Sequence, residues 1–586
     1  MTPPAPFRIF LVASIAPLLT GCGSPSPLLH SPAELRDHVI SVDGHGLPHD
    51  PTSPDGPALR MPDFRSQLAH MFASMRRFHA AHPDRKILIF VHGGLNAPAS
   101  SLAAADAEMD QVIAAGYYPI YLDWNSDLLS SYGEHLVNIT QGQQDDSLLR
   151  KLVSPLYLLA DLGRAVTRAP LVWGNQIASD SAAARGFNAP PPRARDPQLR
   201  TPTSAPADAS AERWAKARHG ASLADAYRNL KEAQTRDQTS RPPDTRRQEI
   251  RVIIGPDLDT DPGHLFGMQV TYALTAPAKF GLSWMIDGLG TPAWQNMSRR
   301  TLMAFDGRLG ANPDNREADP EKGRPREDRG LRAENFITTG AIEVFREEFL
   351  RVVADRNPST RTALTRPATA PSAAGYHITL IGHSMGTIVL DEWLRRDLLE
   401  QRKQFYANIV YMAAACSVRD FSRSVVPYLV QHRADPGASD LARITGTQFY
   451  NLMLHPLAEL RERDRLFDLP PRGSLLVWLD NFLTDPQTPL DRTLGRWENI
   501  LPATDLIPQS VRGQVTLKAF ALAPDDEPTP GQPDYGPQSH GQFRGKPYWC
   551  PAYWKSESDV MPDPNCSDGE PAPWKSAPSA QATSRP

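Results

Sequence analysis

Hydrophobic positions along the chain change period several times, and the changes mark its elements. Lys86 to Val91 (KILIFV) is an unbroken apolar run of strand length, as a strand buried on both faces requires. It stops at His92-Gly93-Gly94-Leu95-Asn96. From about Pro98 the period becomes helical, with Leu102, Met109, Val112 and Ile113 on one side and Gly116 as a stop. Tyr118 to Leu122 (YPIYL) restores strand character and runs into Asp123-Trp124-Asn125. Strand, helix, strand makes a βαβ unit and therefore a parallel sheet, which places the chain in the α/β class.

Past about residue 136 the sheet pattern lapses until about 331. Helical apolar segments fill Leu152 to Trp173 and Leu265 to Met303. Stretches rich in Pro, Arg and Ala near 188–210, 238–248 and 307–330 separate them, and these bury too little apolar surface to order themselves. The second helical segment is dense in large side chains such as Phe266, Tyr272, Phe280, Trp284 and Trp294. Such a density suits the core of a helical cap, or a lid or lipid-facing surface over a site. Ile342, Phe345, Phe349, Val352 and Val353 then return at helical spacing. After a linker from Pro358 to Gly375, strands are expected at His377–Ile381, Ile409–Ala415, Gln448–Leu454 and Val515–Leu522.

Composition sharpens this picture at three points. Lys plus Arg number 62 against 66 Asp plus Glu, a net charge of −4, which argues against a nucleic-acid partner. With 11 Trp and 20 Phe the chain is a folded body, yet its 57 prolines are roughly twice the usual share. The four cysteines show no metal-ligand spacing. Asp257-Leu258-Asp259-Thr260-Asp261 starts like a calcium loop but has Pro262 where Gly is needed and Met268 where Glu is needed. No metal or cofactor is expected.

The N-terminus reads as an address. Ile9 to Leu19 is apolar but too short for a membrane span of about 20 residues, and it fits a signal-peptide core. The following Leu19-Thr20-Gly21-Cys22 resembles the lipobox of bacterial lipoproteins. That resemblance implies cleavage before Cys22, acylation of its thiol and, with Gly23 rather than Asp next, sorting to the outer membrane. Two or more acyl chains would anchor the protein stably. Cys416, inside an apolar run, reads as a buried thiol. Cys550 and Cys566 lie in a Pro-rich tail, where an exported protein can keep a disulfide.

The strongest chemical signal follows the strand at 377. Gly382-His383-Ser384-Met385-Gly386 sits between that strand and a helical segment, Thr387 to Gln404, with Leu390, Trp393, Leu394 and Leu398 on one face. G-x-S-x-G is weak alone, but here it has a strand before it, a helix after it and glycines where the sharp turn crowds the backbone. Ser384 is thus the candidate nucleophile. The strand–GHSMG–helix unit, with an upstream strand ending in HGGLN, resembles the α/β-hydrolase superfamily of esterases and lipases over about half of the chain. The 136–331 stretch is a longer insertion before the nucleophile strand than most members carry.

That resemblance implies further roles. The oxyanion hole maps to the backbone N–H groups of Met385 and Gly94, with Leu95 as the alternative to Gly94. His92 is expected to brace its loop. In this fold the triad runs Ser, acid, His along the chain. His540, in a polar loop after the last strand, is therefore the expected base. His432 and His455 precede that strand. Four acids remain open: Glu459 and Asp464 after the strand at 448–454, Asp420 after the strand at 409–415, and Asp480.

The expected organisation is a signal peptide at 1–21, a tether at 22–60 and hydrolase core at 61–135. A helical insertion or lid with Pro-rich linkers follows at 136–331, then core at 332–545 and a Pro-rich tail at 546–586. The expected function is a membrane-anchored serine hydrolase of lipid or other acyl esters. The alternative is an inactive hydrolase-fold envelope lipoprotein whose insertion and tail aromatics, Tyr548-Trp549 and Tyr553-Trp554, bind a partner.

Overall fold

Continuous apolar strands need cover on both faces, and they obtain it here in a nine-stranded sheet. The computed structural model describes residues 28–53, 56–82, 84–140, 143–144, 148–188, 250–258, 262–310, 339–354, 375–402, 404–435, 444–462, 471–484, 486–523 and 534–556. The strands are β1 (Val39–Val42), β2 (Pro48–His49), β3 (Lys86–Val91), β4 (Tyr117–Trp124), β5 (Arg251–Ile254), β6 (His377–His383), β7 (Asn408–Met412), β8 (Gln448–Met453) and β9 (Val515–Ala519). Their order is β2-β1-β4-β3-β6-β7-β8-β9-β5, parallel throughout except for the β1/β2 pair. The architecture is therefore α/β, with a mostly parallel sheet flanked by helices.

Register decides what stands together at the carboxyl edge. Val91 pairs with Gly382, and His383 pairs with Met412. The segments leaving β3, β6 and β7 therefore emerge side by side at the centre of the sheet. Helices α1 (Pro32–His38), α2 (Met61–Ala81), α3 (Pro98–Ala114), α4 (Leu128–Asn138), α5 (Leu148–Asn188), α6 (Pro262–Gly310), α7 (Ala341–Ala354) and α8 (Gly386–Leu399) surround it. Aromatic packing joins three of them. Phe345 of α7 lies 6.1 Å from Phe72 of α2 and 5.9 Å from Trp393 of α8, centroid to centroid.

Three expected boundaries are corrected. The tether assigned to 22–60 already contains folded chain. Ser31 and Glu34 form a capping box that starts α1, and the buried run Val39–Val42 is β1. Three apolar residues and Ser41 were outweighed there by the surrounding Pro and Ser. The insertion at 136–331 is not wholly helical, since β5 returns from it to pair with β9 at the sheet edge. The tail assigned to 546–586 begins inside the core.

In that tail Tyr548, Trp549, Tyr553 and Trp554 are all buried. Tyr548 stacks on Phe90 of β3 at 4.7 Å, Trp554 Nε1–H donates to the Tyr548 carbonyl at 2.7 Å, and Lys518 Nζ of β9 donates to the Tyr553 carbonyl at 2.8 Å. These rings hold residues 548–554 against the sheet and offer no surface to a partner. Cys550 is buried and disulfide-bonded, and Cys416 is a free buried thiol. Cys566, Cys22, the signal peptide at 1–21, Asp464 and the Pro-rich linkers from 189 onward lie outside the described residues.

Truncating the largest of these rings tests whether the tail belongs to the core. Trp554→Ala should lower the unfolding free energy by about 3–5 kcal/mol, the usual cost of removing a buried indole. Urea denaturation followed by far-UV circular dichroism measures it, and a cost below 1 kcal/mol would return the segment to the status of a tail.

Candidate active site

Ser384 occupies the turn between β6 and α8 with a backbone φ of +50°. A non-glycine residue pays about 1–2 kcal/mol for that conformation, so it persists only where neighbours enforce it. Four hydrogen bonds do so. Ser384 N–H donates to the Met412 carbonyl at 2.8 Å, while its own carbonyl accepts from Ala415 N–H at 3.1 Å, Thr387 N–H at 3.1 Å and Thr387 Oγ1 at 2.7 Å. The flanking glycines are steric requirements. A Cβ at Gly386 would stand 2.2 Å from the Val91 carbonyl oxygen, and one at Gly93 would stand 2.8 Å from Ser384 Cβ.

His540 opens a short 3-10 turn (His540–Phe543) after β9, and its Nε2 lies 2.8 Å from Ser384 Oγ. Both residues are almost wholly buried. Burial, reinforced by the neighbouring His383 ring, pushes the His540 imidazole down to about 3, so it is neutral near pH 7. A neutral ring whose Nε2 accepts from the serine carries its proton on Nδ1. That buried Nδ1 has no hydrogen-bond partner.

The backbone of His540 is clamped from both sides instead. Its N–H donates to Glu462 Oε2 at 2.9 Å, and its carbonyl accepts from His383 Nε2 at 3.1 Å. A carbonyl can only accept, so His383 holds its proton on Nε2. The His383 imidazole stays neutral too, pushed down to about 4 chiefly by burial. The second residue of Gly-His-Ser-Met-Gly is therefore a positioning residue that holds the base's loop against the elbow.

The loop after β3 supplies backbone donors. His92 braces it from within, with Nδ1 donating to the Gly93 carbonyl at 2.7 Å and Nε2 meeting Trp124 N–H and Asp123 Oδ1, both at 3.0 Å. Asn96 Nδ2 and Ser126 Oγ tie down the Gly93 carbonyl as well. Gly94 abuts Met385, since a Cβ there would lie 3.1 Å from Met385 Sδ. Among the described residues neither the Gly94 nor the Met385 N–H donates to a protein acceptor. Leu95, the alternative to Gly94, is corrected. Its N–H is spent on the Ser126 carbonyl at 3.0 Å, and its side chain faces solvent.

The expected acids are placed as follows. Glu459, in the helix Pro456–Arg461 after β8, is fully buried and bonded to the Ser474 hydroxyl, without a hydrogen bond to His540. Burial pushes its carboxyl up to about 8, so it is mostly protonated near neutral pH. Asp420 caps the helix Val418–Arg423 through a reciprocal pair with Ser417. Asp480 is consumed by Thr493, Arg496 and Asn499. His455 caps the Pro456 helix, and burial pushes it down to about 3.

Glu462 was missed. It lies three residues past Glu459 on the same segment, and only the path of the chain after β8 brings it to His540. Among the described residues no group of three or more His, Cys, Asp or Glu is arranged to hold a metal ion. The arrangement thus offers a serine hydroxyl, a neutral imidazole to take its proton, and two adjoining backbone N–H groups. No family model, curated protein or solved structure matches the chain.

Two carboxamide variants separate the neighbouring glutamates. Glu459→Gln should leave serine reactivity within about twofold of wild type, because the native carboxyl is already mostly protonated. Its folded pKa lies above the ordinary 4.5, so its contribution to stability falls as pH rises through 8. The variant's melting temperature should therefore gain on wild type between pH 5 and 9. Glu462→Gln should slow labelling by a fluorophosphonate by roughly 10²–10⁴-fold, as for an orienting carboxylate. The opposite ranking in rate assays would restore Glu459 as the acid.

Proposed function

We propose that this chain is a serine hydrolase of the α/β-hydrolase fold that cleaves carboxylic esters by acyl transfer. The carrying observation is the Ser384 hydroxyl on a left-handed strand-to-helix turn, 2.8 Å from Nε2 of a buried, neutral histidine. The order of the parts supports the reading. Ser384 follows β6, Glu462 follows β8 and His540 follows β9, the Ser-acid-His sequence of that fold.

The chemistry then runs from these atoms. His540 Nε2 takes the Ser384 proton as Oγ bonds to the acyl carbon, and the carbonyl electrons move to its oxygen. The Gly94 and Met385 N–H groups hold that oxyanion, each donor being worth about 3–4 kcal/mol by analogy with measured cases. The imidazolium protonates the leaving alkoxide as the tetrahedral adduct collapses. Water, deprotonated by the same nitrogen, then releases the acid from the acyl-enzyme. Glu462 is the proposed partner of Nδ1. It already holds the main chain of His540, and turning its carboxylate onto the buried Nδ1–H would stabilise the imidazolium.

Lipid or other apolar acyl esters are the proposed substrates, and the outer membrane is the proposed location through a lipid on Cys22. Leu19-Thr20-Gly21-Cys22 supports the anchor, and the apolar helices of the insertion support the substrate class. Because Ser384 and His540 are covered, the substrate reaches them only when segments above the elbow part.

Labelling by a fluorophosphonate should occur in wild type, vanish in Ser384→Ala and slow by about 10³-fold or more in His540→Ala. The rate should hold below pH 6.5, because the base resists protonation down to about 3. A folded protein that stays unlabelled with and without detergent would overturn the hydrolase reading in favour of the binding-protein alternative.

A further inference from the structure

Helices α5 and α6 pack antiparallel, with Gly288 against Ala165 and Trp173 Nε1–H donating to the Phe280 carbonyl at 2.9 Å. Their inner sides carry the polar contacts that fix them to the body. Arg168 and Thr291 both donate to the Phe482 carbonyl, and Asn175 donates to that of Asn481. Their outer sides are of another kind. From 155 to 177 in α5, and from 266 to 281 in α6, no exposed described position carries a charged side chain. Large apolar groups stand in solvent there. Leu156 and Leu159 are each 63 % exposed, Val166 60 %, Phe266 69 % and Leu274 77 %.

We propose that this two-helix face is a membrane-docking platform that lies on a phospholipid bilayer. Two observations choose a lipid surface over a protein partner. A protein interface keeps a polar, charged rim, and no exposed described position of these two stretches is charged. Its exposed positions also include many Gly and Pro, with Pro155, Gly163, Pro170 and Gly174 on α5 and Gly267, Pro277 and Gly281 on α6. These residues weaken helices in water but are frequent in helices that meet lipid.

The cations of the two helices are turned away from this face: Lys279 is fully buried and donates to Thr275 Oγ1, and Arg168 pairs with the buried Asp287. No described helix is long and apolar enough to cross a membrane, so the platform lies on the bilayer. The proposal also draws on the anchor proposed above. Only five residues separate Cys22 from Leu28, where the described chain begins, a reach of about 20 Å that keeps the body beside the bilayer.

The test uses the full chain with Cys22→Ser, which cannot be acylated, and the same chain with Leu159→Glu, Val166→Glu and Leu274→Glu added. Both retain the apolar run at 9–19, so any difference between them belongs to the platform. Co-sedimentation with phosphatidylcholine/phosphatidylglycerol vesicles should be at least tenfold weaker for the triple variant. Fluorophosphonate labelling should be equal in the two, which shows that the variant is folded. If labelling is absent in both but the sedimentation difference persists, the hydrolase reading falls and the platform stands. Equal sedimentation overturns the platform. So does a dimer on size exclusion that the triple variant dissociates without any effect on vesicles, because the face would then pair two copies.

Discussion

Backbone crowding at the carboxyl edge of β6 is the constraint on which the rest of the site depends. β6 must hand over to α8 within two residues while β3 and β7 press on either side. Only the left-handed conformation at Ser384 closes that turn. Its cost is met by four hydrogen bonds drawn from Met412, Ala415 and Thr387. The same crowding leaves no room for a side chain at Gly386 or Gly93. The hydroxyl, the loop after β3 and the adjoining N–H groups thus stand together through one packing problem with one solution.

Electrostatics at the site follow from burial more than from charge. His383 and His540 sit side by side, both desolvated and both neutral. Two imidazoles 5.5 Å apart cannot easily both be charged. Neutrality leaves each ring with one donor and one acceptor nitrogen, and this allows His383 to donate to the His540 carbonyl while His540 accepts from Ser384. The buried His540 Nδ1 has no hydrogen-bond partner among the described residues, while the Glu462 carboxylate accepts from the same residue's main-chain N–H.

The insertion divides its chemistry between two sides. Polar groups of α5 and α6 turn inward to the backbone carbonyls of Asn481 and Phe482, and no exposed described position at 155–177 or 266–281 is charged. This inverts the usual rule for a soluble helix, which faces its apolar stripe to the core and its charges to water. The segment that receives the helices also carries Asp480, whose bonds to Thr493, Arg496 and Asn499 tie it to the body. The two helices and the body that carries Ser384 are therefore attached to one framework.

Local signals determined much of this protein. The uninterrupted runs KILIFV and HITLI are strands because a run buried on both faces needs no alternation. Gly382 and Gly386 around Ser384 marked the turn because the backbone is crowded there, tightly at Gly382 and with no room at all for a side chain at Gly386. His540 was legible from its place after the last strand. What depended on distant chain was not legible. The Val39–Val42 strand is too short to stand out from its Pro/Ser-rich surroundings and is a strand only because β4 pairs with it. Tyr548 to Trp554 read as a tail until Phe90, Tyr450 and Lys518 are seen to cover them. Glu459 and Glu462 are alike in sequence, three residues apart on one segment. Tertiary packing alone buries the first against Ser474 and sets the second on His540, because the direction in which a side chain leaves a helix end is decided by what the fold places opposite it.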